Sequence, residues 1–130
     1  MLSDAFTSAV LDWDRDGLTE ALAEDVVFRS PVVYKPYEGR EATMAVLEAV
    51  SQVFEDFAYV DKLEGSASAA LIFRAKVGDR EIEGLDHLSF DEEGRVSELR
   101  VMVRPMSGMN VLADAMRRQL EKLGVAPPGA

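Results

Sequence analysis

The sequence predicts one α+β domain over residues 1–130, a cone-shaped curved antiparallel sheet wrapped around helices with an internal apolar pocket. Three observations carry this. Helical spacing of apolar residues dominates the first half of the chain, and a meander of strands with short turns follows it. One face of that meander is apolar except for Ser97 near a turn and Asp86 in the middle.

From the amino terminus, Leu2, Phe6, Val10 and Trp13 recur at helical spacing until Asp16-Gly17 breaks the pattern, giving a first helix with one apolar face. A short second helix from about Leu18 to Ala23 leads into Val26 to Ser30, a β-branched run that predicts a brief strand stopped by Pro31. Pro31 to Gly39 contains Pro31 and Pro36 and is expected to be a loop. Val46, Val50, Val53 and Phe57, with Leu47 and Phe54 beside them, predict a long helix from Arg40 to about Phe57 whose stripe covers a sheet. A strand near Tyr59 to Leu63 follows, and then the meander Ser66–Val77, Arg80–Phe90 and Arg95–Arg104. Gly78-Asp79 suits a two-residue hairpin turn and Asp91 to Gly94 a longer one. Ser107 is expected to cap a last helix, about 108–123, with Met109, Leu112, Met116, Leu120 and Leu123 on one face. Pro127-Pro128-Gly129 is expected to leave 125–130 as a disordered tail.

Hairpin geometry turns these strands into a register. A two-residue turn pairs Val77 with Arg80 and sets Leu71 opposite Asp86, while pairing Phe90 with Arg95 sets Asp86 opposite Leu99, Gly84 opposite Val101 and Leu88 opposite Ser97. The inner face then holds Leu71, Phe73, Leu88, Leu99, Val101 and Val103 around Asp86. The outer face mixes Arg74, Glu83, His87, Glu98, Arg100 and Arg104 with Ile72, Leu85 and Met102, a pattern that suits water or a second subunit. A carboxylate among leucines is costly when ionised, so Asp86 must find donors or hold its proton with a raised pKa.

Composition narrows the chemistry. There is no cysteine, so disulfides, thiolate nucleophiles and thiolate metal sites drop out, and a single histidine leaves a transition-metal site little to stand on. A net charge of −10 repels phosphate backbones and anionic lipid, so neither nucleic acid nor membrane is an expected partner. Met1 to Leu11 lacks the basic n-region of a signal peptide and no run reaches the roughly 20 apolar residues of a bilayer span, so a cytoplasmic location is expected. Asp12-Trp13-Asp14-Arg15-Asp16-Gly17 begins like a calcium loop, but Ala23 stands where the bidentate glutamate belongs. No cofactor is expected.

The order helix, helix, strand, long helix, meander, the Gly39-Arg40-Glu41 opening of the long helix, and the run from Leu85 to Val96 together resemble the nuclear transport factor two-like superfamily. Within it the hairpin Leu85-Asp86-His87-Leu88-Ser89-Phe90 to Arg95-Val96 is similar to the penultimate hairpin of the ketosteroid isomerases, and the branch includes SnoaL-like polyketide cyclases. The resemblance implies that Asp86 stands where the isomerases keep a protonated oxyanion-hole aspartate. Their general-base aspartate falls on Ser30 and their oxyanion-hole tyrosine near Ala9, which puts ordinary steroid isomerisation in doubt. Ala69, Leu71 and Val101 replace the arginine and aspartates of the related epoxide hydrolases.

These readings converge on a cone that binds a small, largely apolar molecule bearing a carbonyl or hydroxyl. Asp86 is its polar anchor, and Trp13, Ser30, Tyr34, Phe54, Leu71, Phe73, Leu88, Leu99, Val101 and Val103 are its expected wall. Two alternatives stand beside it: a cyclase or isomerase using Asp86 as general acid in metal-free acid-base chemistry, and a homodimeric interaction domain. A second titratable group near Asp86 separates binding from turnover.

Overall fold

The structure, a computed structural model, describes residues 1–128. Its elements are α1 (Asp4–Asp12), α2 (Arg15–Ala21), β1 (Leu22–Arg29), β2 (Tyr37–Glu38), α3 (Arg40–Val53), β3 (Glu55–Glu64), β4 (Ser68–Val77), β5 (Arg80–Phe90), β6 (Val96–Arg104) and α4 (Met106–Leu123). One curved, open six-stranded sheet runs in the order β2-β1-β6-β5-β4-β3. Every pairing is antiparallel except β1 with β6, so the sheet is mixed rather than purely antiparallel. A parallel neighbour needs a long crossover, and everything from β2 to β5 supplies it.

Element boundaries moved where helical periodicity ran on by coincidence. α1 ends when Trp13 turns left-handed at φ 49°, which takes Trp13 off the helical face it was expected to share with Phe6. Asp14 then caps α2 by accepting from the Gly17 N–H at 3.0 Å, which gives the calcium-like acidic run a structural role. The strand expected at Val26 begins at Leu22, and α3 stops at Val53 because Phe54 is extended (ψ 135°), so Phe57 belongs to a strand. Pairing of Phe28 with Tyr37 adds the short β2 inside the expected loop. Ser107 does not cap α4: Pro105 holds the N-cap position and its carbonyl accepts from the Met109 N–H at 2.8 Å. Beyond α4, Val125 packs on the core and its N–H bonds the Leu120 carbonyl at 3.0 Å. Of the expected tail, residues 129 and 130 lie outside the described residues.

The hairpin at Gly78 (φ 61°) has the expected register, with Val77 opposite Arg80 and Leu71 opposite Asp86. The next hairpin differs. Phe90 pairs with Val96, an irregularity follows between Ser89 and Phe90, and Asp86 consequently faces Val101 and Leu88 faces Leu99, a shift of two residues from the expected pairing. An even shift keeps the pleat, so Leu99, Val101 and Val103 remain on the face of Asp86. On the outer face His87 stands opposite Arg100, and Glu98 pairs with Arg29 and Arg100 at 3.3 and 3.1 Å.

Helices α1, α3 and α4 close the concave face. Phe6 of α1, Val46 and Ala49 of α3, and Leu112 and Met116 of α4 are buried against Leu71, Phe73, Leu88 and Leu99 of the sheet. Two glycines permit close packing, Gly84 within the sheet and Gly108 where α4 meets β5. A β-carbon on Gly84 would lie inside the surface of the Phe73 ring, and one on Gly108 would stand 2.6 Å from Ile82 Cγ2. Among the described residues no helix is long and apolar enough to cross a membrane.

Candidate functional site

The concave face encloses a cavity of about 70 Å³. Its floor is Phe73, Asp86, Leu99, Val101 and Val103 of the sheet. Its roof comes from Phe6 and Val10 of α1, Val46, Leu47 and Val50 of α3, and Leu112 and Met116 of α4. Phe28 and the segment Ser30 to Val32 close one end, Phe54 and Phe57 the other walls. Asp86 and Ser30 are its two polar side chains.

Asp86 is 8% exposed, and that residual exposure faces the cavity. Burial pushes its carboxyl up to about 7, against a smaller downward pull from the Tyr59 hydroxyl. Tyr59 was expected only as the start of a strand. The structure places its hydroxyl beside the Asp86 carboxyl, buried and with no hydrogen-bond partner among the described residues. The two groups are close enough to shift one another's ionisation but fall short of hydrogen-bond geometry. Burial, and then the Asp86 charge, raises the Tyr59 pKa, so Tyr59 is a proton donor and never the base of this site at neutral pH.

An aromatic series fixes the Tyr59 ring. Its edge meets Phe57 at 5.0 Å between centroids, Phe57 stacks on Phe73 at 5.1 Å, and Phe54 lies 5.9 and 5.7 Å from Phe57 and Phe73. Period-two spacing of Phe57 and Tyr59 on β3 carried this signal. It was obscured because Phe57 also continued the helical stripe of α3, and because two irregularities in the β3–β4 register leave Tyr59 opposite Phe73 where hairpin counting does not reach.

Of the expected wall, Ser30, Phe54, Phe73, Leu99, Val101 and Val103 line the cavity with Asp86. Leu71 and Leu88 lie on the same face but are wholly buried in the core, outside the cavity wall. Trp13 is half-buried at the end of α1, also off the wall, and Tyr34 is 99% exposed on the loop after β1, where it reaches nothing in the cavity. Ser30 Oγ accepts from the Val32 N–H at 2.9 Å, which occupies it with its own turn. The wall therefore has one acid, with a phenol beside it that does not itself line the cavity, and with its carboxyl pushed up to about 7 Asp86 can give a proton or, once ionised, take one. Among the described residues no three metal-ligating side chains converge.

Neither a family model nor a curated protein matches the sequence. Solved structures do. A steroid delta-isomerase from Pseudomonas aeruginosa is 41% identical, with a TM-score of 0.86 over 93% of this chain and 90% of its own. A Silicibacter pomeroyi protein with a cystatin-like fold is 32% identical, with a TM-score of 0.85 over 91% and 86% of the two chains. A SnoaL-like polyketide cyclase from Shewanella denitrificans shares the fold alone, at 16% identity and a TM-score of 0.66 over 90% and 95%.

Proposed function

The chain belongs to the nuclear transport factor two-like superfamily, in its ketosteroid isomerase and SnoaL-like branch, and from that premise we propose that its cone binds a small, largely apolar, uncharged molecule through a carbonyl or hydroxyl oxygen, with neutral Asp86 as the donor. One observation carries the reading: a single carboxyl, pushed up to about 7, on an otherwise apolar wall. A neutral acid there donates to a ligand oxygen without the cost of burying a charge, and the apolar wall excludes competing water. Phenol, whose oxygen imitates that of an enol, is the probe. Calorimetry should show saturable phenol binding, accompanied in the unaltered protein by a shift of the Asp86 carboxyl carbon in NMR, kept largely by Asp86→Asn and lost in Asp86→Leu. An Asp86 that titrates near 4 and ignores phenol would falsify the reading.

Turnover is the second reading, favoured by Tyr59 as a second titratable group beside Asp86 and by the 41% identity to a steroid delta-isomerase. Neutral Asp86 can stabilise a developing enolate oxygen and its ionised form can take a proton, but one carboxyl cannot do both in the same step and no second acid or base lines the cavity among the described residues, so catalysis is modest. Incubation with a β,γ-unsaturated ketosteroid, followed by the ultraviolet absorbance of the conjugated product, decides between them. Rates that Asp86→Leu does not reduce would remove Asp86 from the reaction.

The outer sheet face supports a homodimer. Ile72, Leu85 and Met102 are cross-strand neighbours in one row, flanked by the Arg74–Glu83–Arg104 ion pairs, and His87 Nδ1 beside them is buried without a partner among the described residues. Light scattering should give a dimer mass that Met102→Glu reduces to a monomer. A monomer mass for the unaltered protein at micromolar concentration would end this proposal.

A further inference from the structure

The cone as it stands is too small for the ligands its chemistry invites. At about 70 Å³ it has half the volume of a cavity that admits benzene, roughly 150 Å³, so even a phenol ring enters only as the Met116 side chain swings out of its way, and it has a fraction of the roughly 300–1,000 Å³ of small-molecule sites. A groove of about 570 Å³ lies on the other side of its wall, between α4 and the segment after β1. Four residues line both spaces: Ser30, Val32, Val46 and Met116.

The partition is thin where it matters. Leu112 of α4 lines only the cone, Met116 lines both spaces and Leu120 lines only the groove, so one stripe at four-residue spacing runs from the buried carboxyl side to the open side. Eight residues of helix make that run about 12 Å long. Methionine is unbranched, with three rotatable bonds, and swings aside at low cost where a branched side chain would not. A narrow chain can therefore pass beneath α4 with the helix in place, whereas a fused-ring body requires the helix to leave.

Charge at the two ends restricts the occupant further. Among the described residues Arg117 is the one cation lining the groove, and it is already held by Asp114 at 2.7 Å and Glu121 at 3.4 Å, which leaves no free cation among them to neutralise an anion. At the inner end the only titratable group on the wall, among the described residues, is the Asp86 carboxyl. An anionic ligand such as a fatty acid is disfavoured at both ends.

Resting on the binding reading above, we propose that the cone and the α4 groove form one continuous site for a long-chain, uncharged molecule. Its hydroxyl or carbonyl head sits on Asp86, and its single alkyl chain passes Met116 to lie against Leu120, Val33 and Val125.

The experiment is a calorimetric series of 4-alkylphenols from methyl to heptyl, with phenol, 2-naphthol and dodecanoate as controls, on the full chain. Affinity should climb with chain length, by up to about fourfold for each methylene that is buried, and exceed that of 2-naphthol; dodecanoate should bind more weakly than heptylphenol. Leu120→Asn, which alters only the groove, should flatten the dependence on chain length while phenol itself binds as before. A flat series in the unaltered protein, or 2-naphthol equalling heptylphenol, overturns the continuous site and leaves the cone reading intact. Absence of phenol binding, or heptylphenol binding without any change at the Asp86 carboxyl carbon, overturns the cone reading itself.

Discussion

The Tyr59 hydroxyl lies buried beside the Asp86 carboxyl with no hydrogen-bond partner among the described residues, so two polar groups share one apolar enclosure without satisfying one another. A buried hydroxyl left unpaired costs roughly 1–3 kcal/mol. Its removal is therefore cheap for folding and informative for the site. Tyr59→Phe should leave stability unchanged or raise it, by up to about 3 kcal/mol, while raising the Asp86 pKa, because the hydroxyl is what lowers it. Chemical denaturation and an NMR titration measure both. A fall in the Asp86 pKa would mean that Tyr59 acts on it in the opposite sense.

The raised Asp86 pKa makes stability depend on pH. The folded protein holds the proton up to about 7, the unfolded chain releases it near 3.8, and between those values the folded state binds more protons. Stability linked to the neutral acid is fully present below 3.8, declines as pH rises, and is gone above about 7, where both states are ionised and the folded one buries a charge. Asp86→Asn removes this slope. It should be more stable than the unaltered protein by roughly 2–4 kcal/mol above pH 8, with the difference shrinking toward pH 4, as read by denaturation midpoints across that range. Parallel pH profiles for the two proteins would place the Asp86 titration at its ordinary value.

Sequence periodicity recovered the inner face of the meander, because a two-residue slip between β5 and β6 preserves the pleat and leaves Asp86 among Leu99, Val101 and Val103. It did not reach the roof. Met116 and Leu112 were visible as one face of a helix, but which surface that face covers depends on the chain turning back over the sheet, which no local spacing encodes. Tyr34 was expected in the wall, but the loop after β1 carries it into solvent instead. The Tyr59 hydroxyl was missed for a geometric reason, since the irregular β3–β4 pairing breaks the counting rule that located Asp86.

Phe73 fills the space that a side chain on Gly84 would need, and the strand pair brings them directly opposite one another. Gly84→Ala forces the Phe73 ring out of its stack with Phe57 and should cost about 1–3 kcal/mol. Adding Phe73→Leu should recover part of that loss, giving a coupling energy of at least about 0.5 kcal/mol in a double-mutant cycle. Strict additivity of the two substitutions would show that the ring already has room to move.

Gly108 is the position through which the roof can be lifted without touching the cavity. It begins the stripe that continues through Leu112 and Met116, and it is buried where α4 crosses β5, with Ile82 Cγ2 in the space of its missing β-carbon. Gly108→Val has no flexible neighbour to displace, since Glu81 contributes backbone at the same contact, so the helix itself must give. The Gly-to-Val change in helix propensity is favourable by a few tenths of a kcal/mol, whereas overpacking costs roughly 1–3, so the clash decides the sign. Lifting α4 admits water to the cone and weakens the desolvation that holds Asp86 near 7. The variant should lose roughly 1–3 kcal/mol, show faster amide exchange along α4 than along β4 and β5, and return the Asp86 pKa toward its ordinary range. If exchange in α4 is unchanged, or if the Asp86 pKa does not move while α4 loosens, then the carboxyl is desolvated by the sheet and Tyr59 alone and the helix is no part of what tunes it.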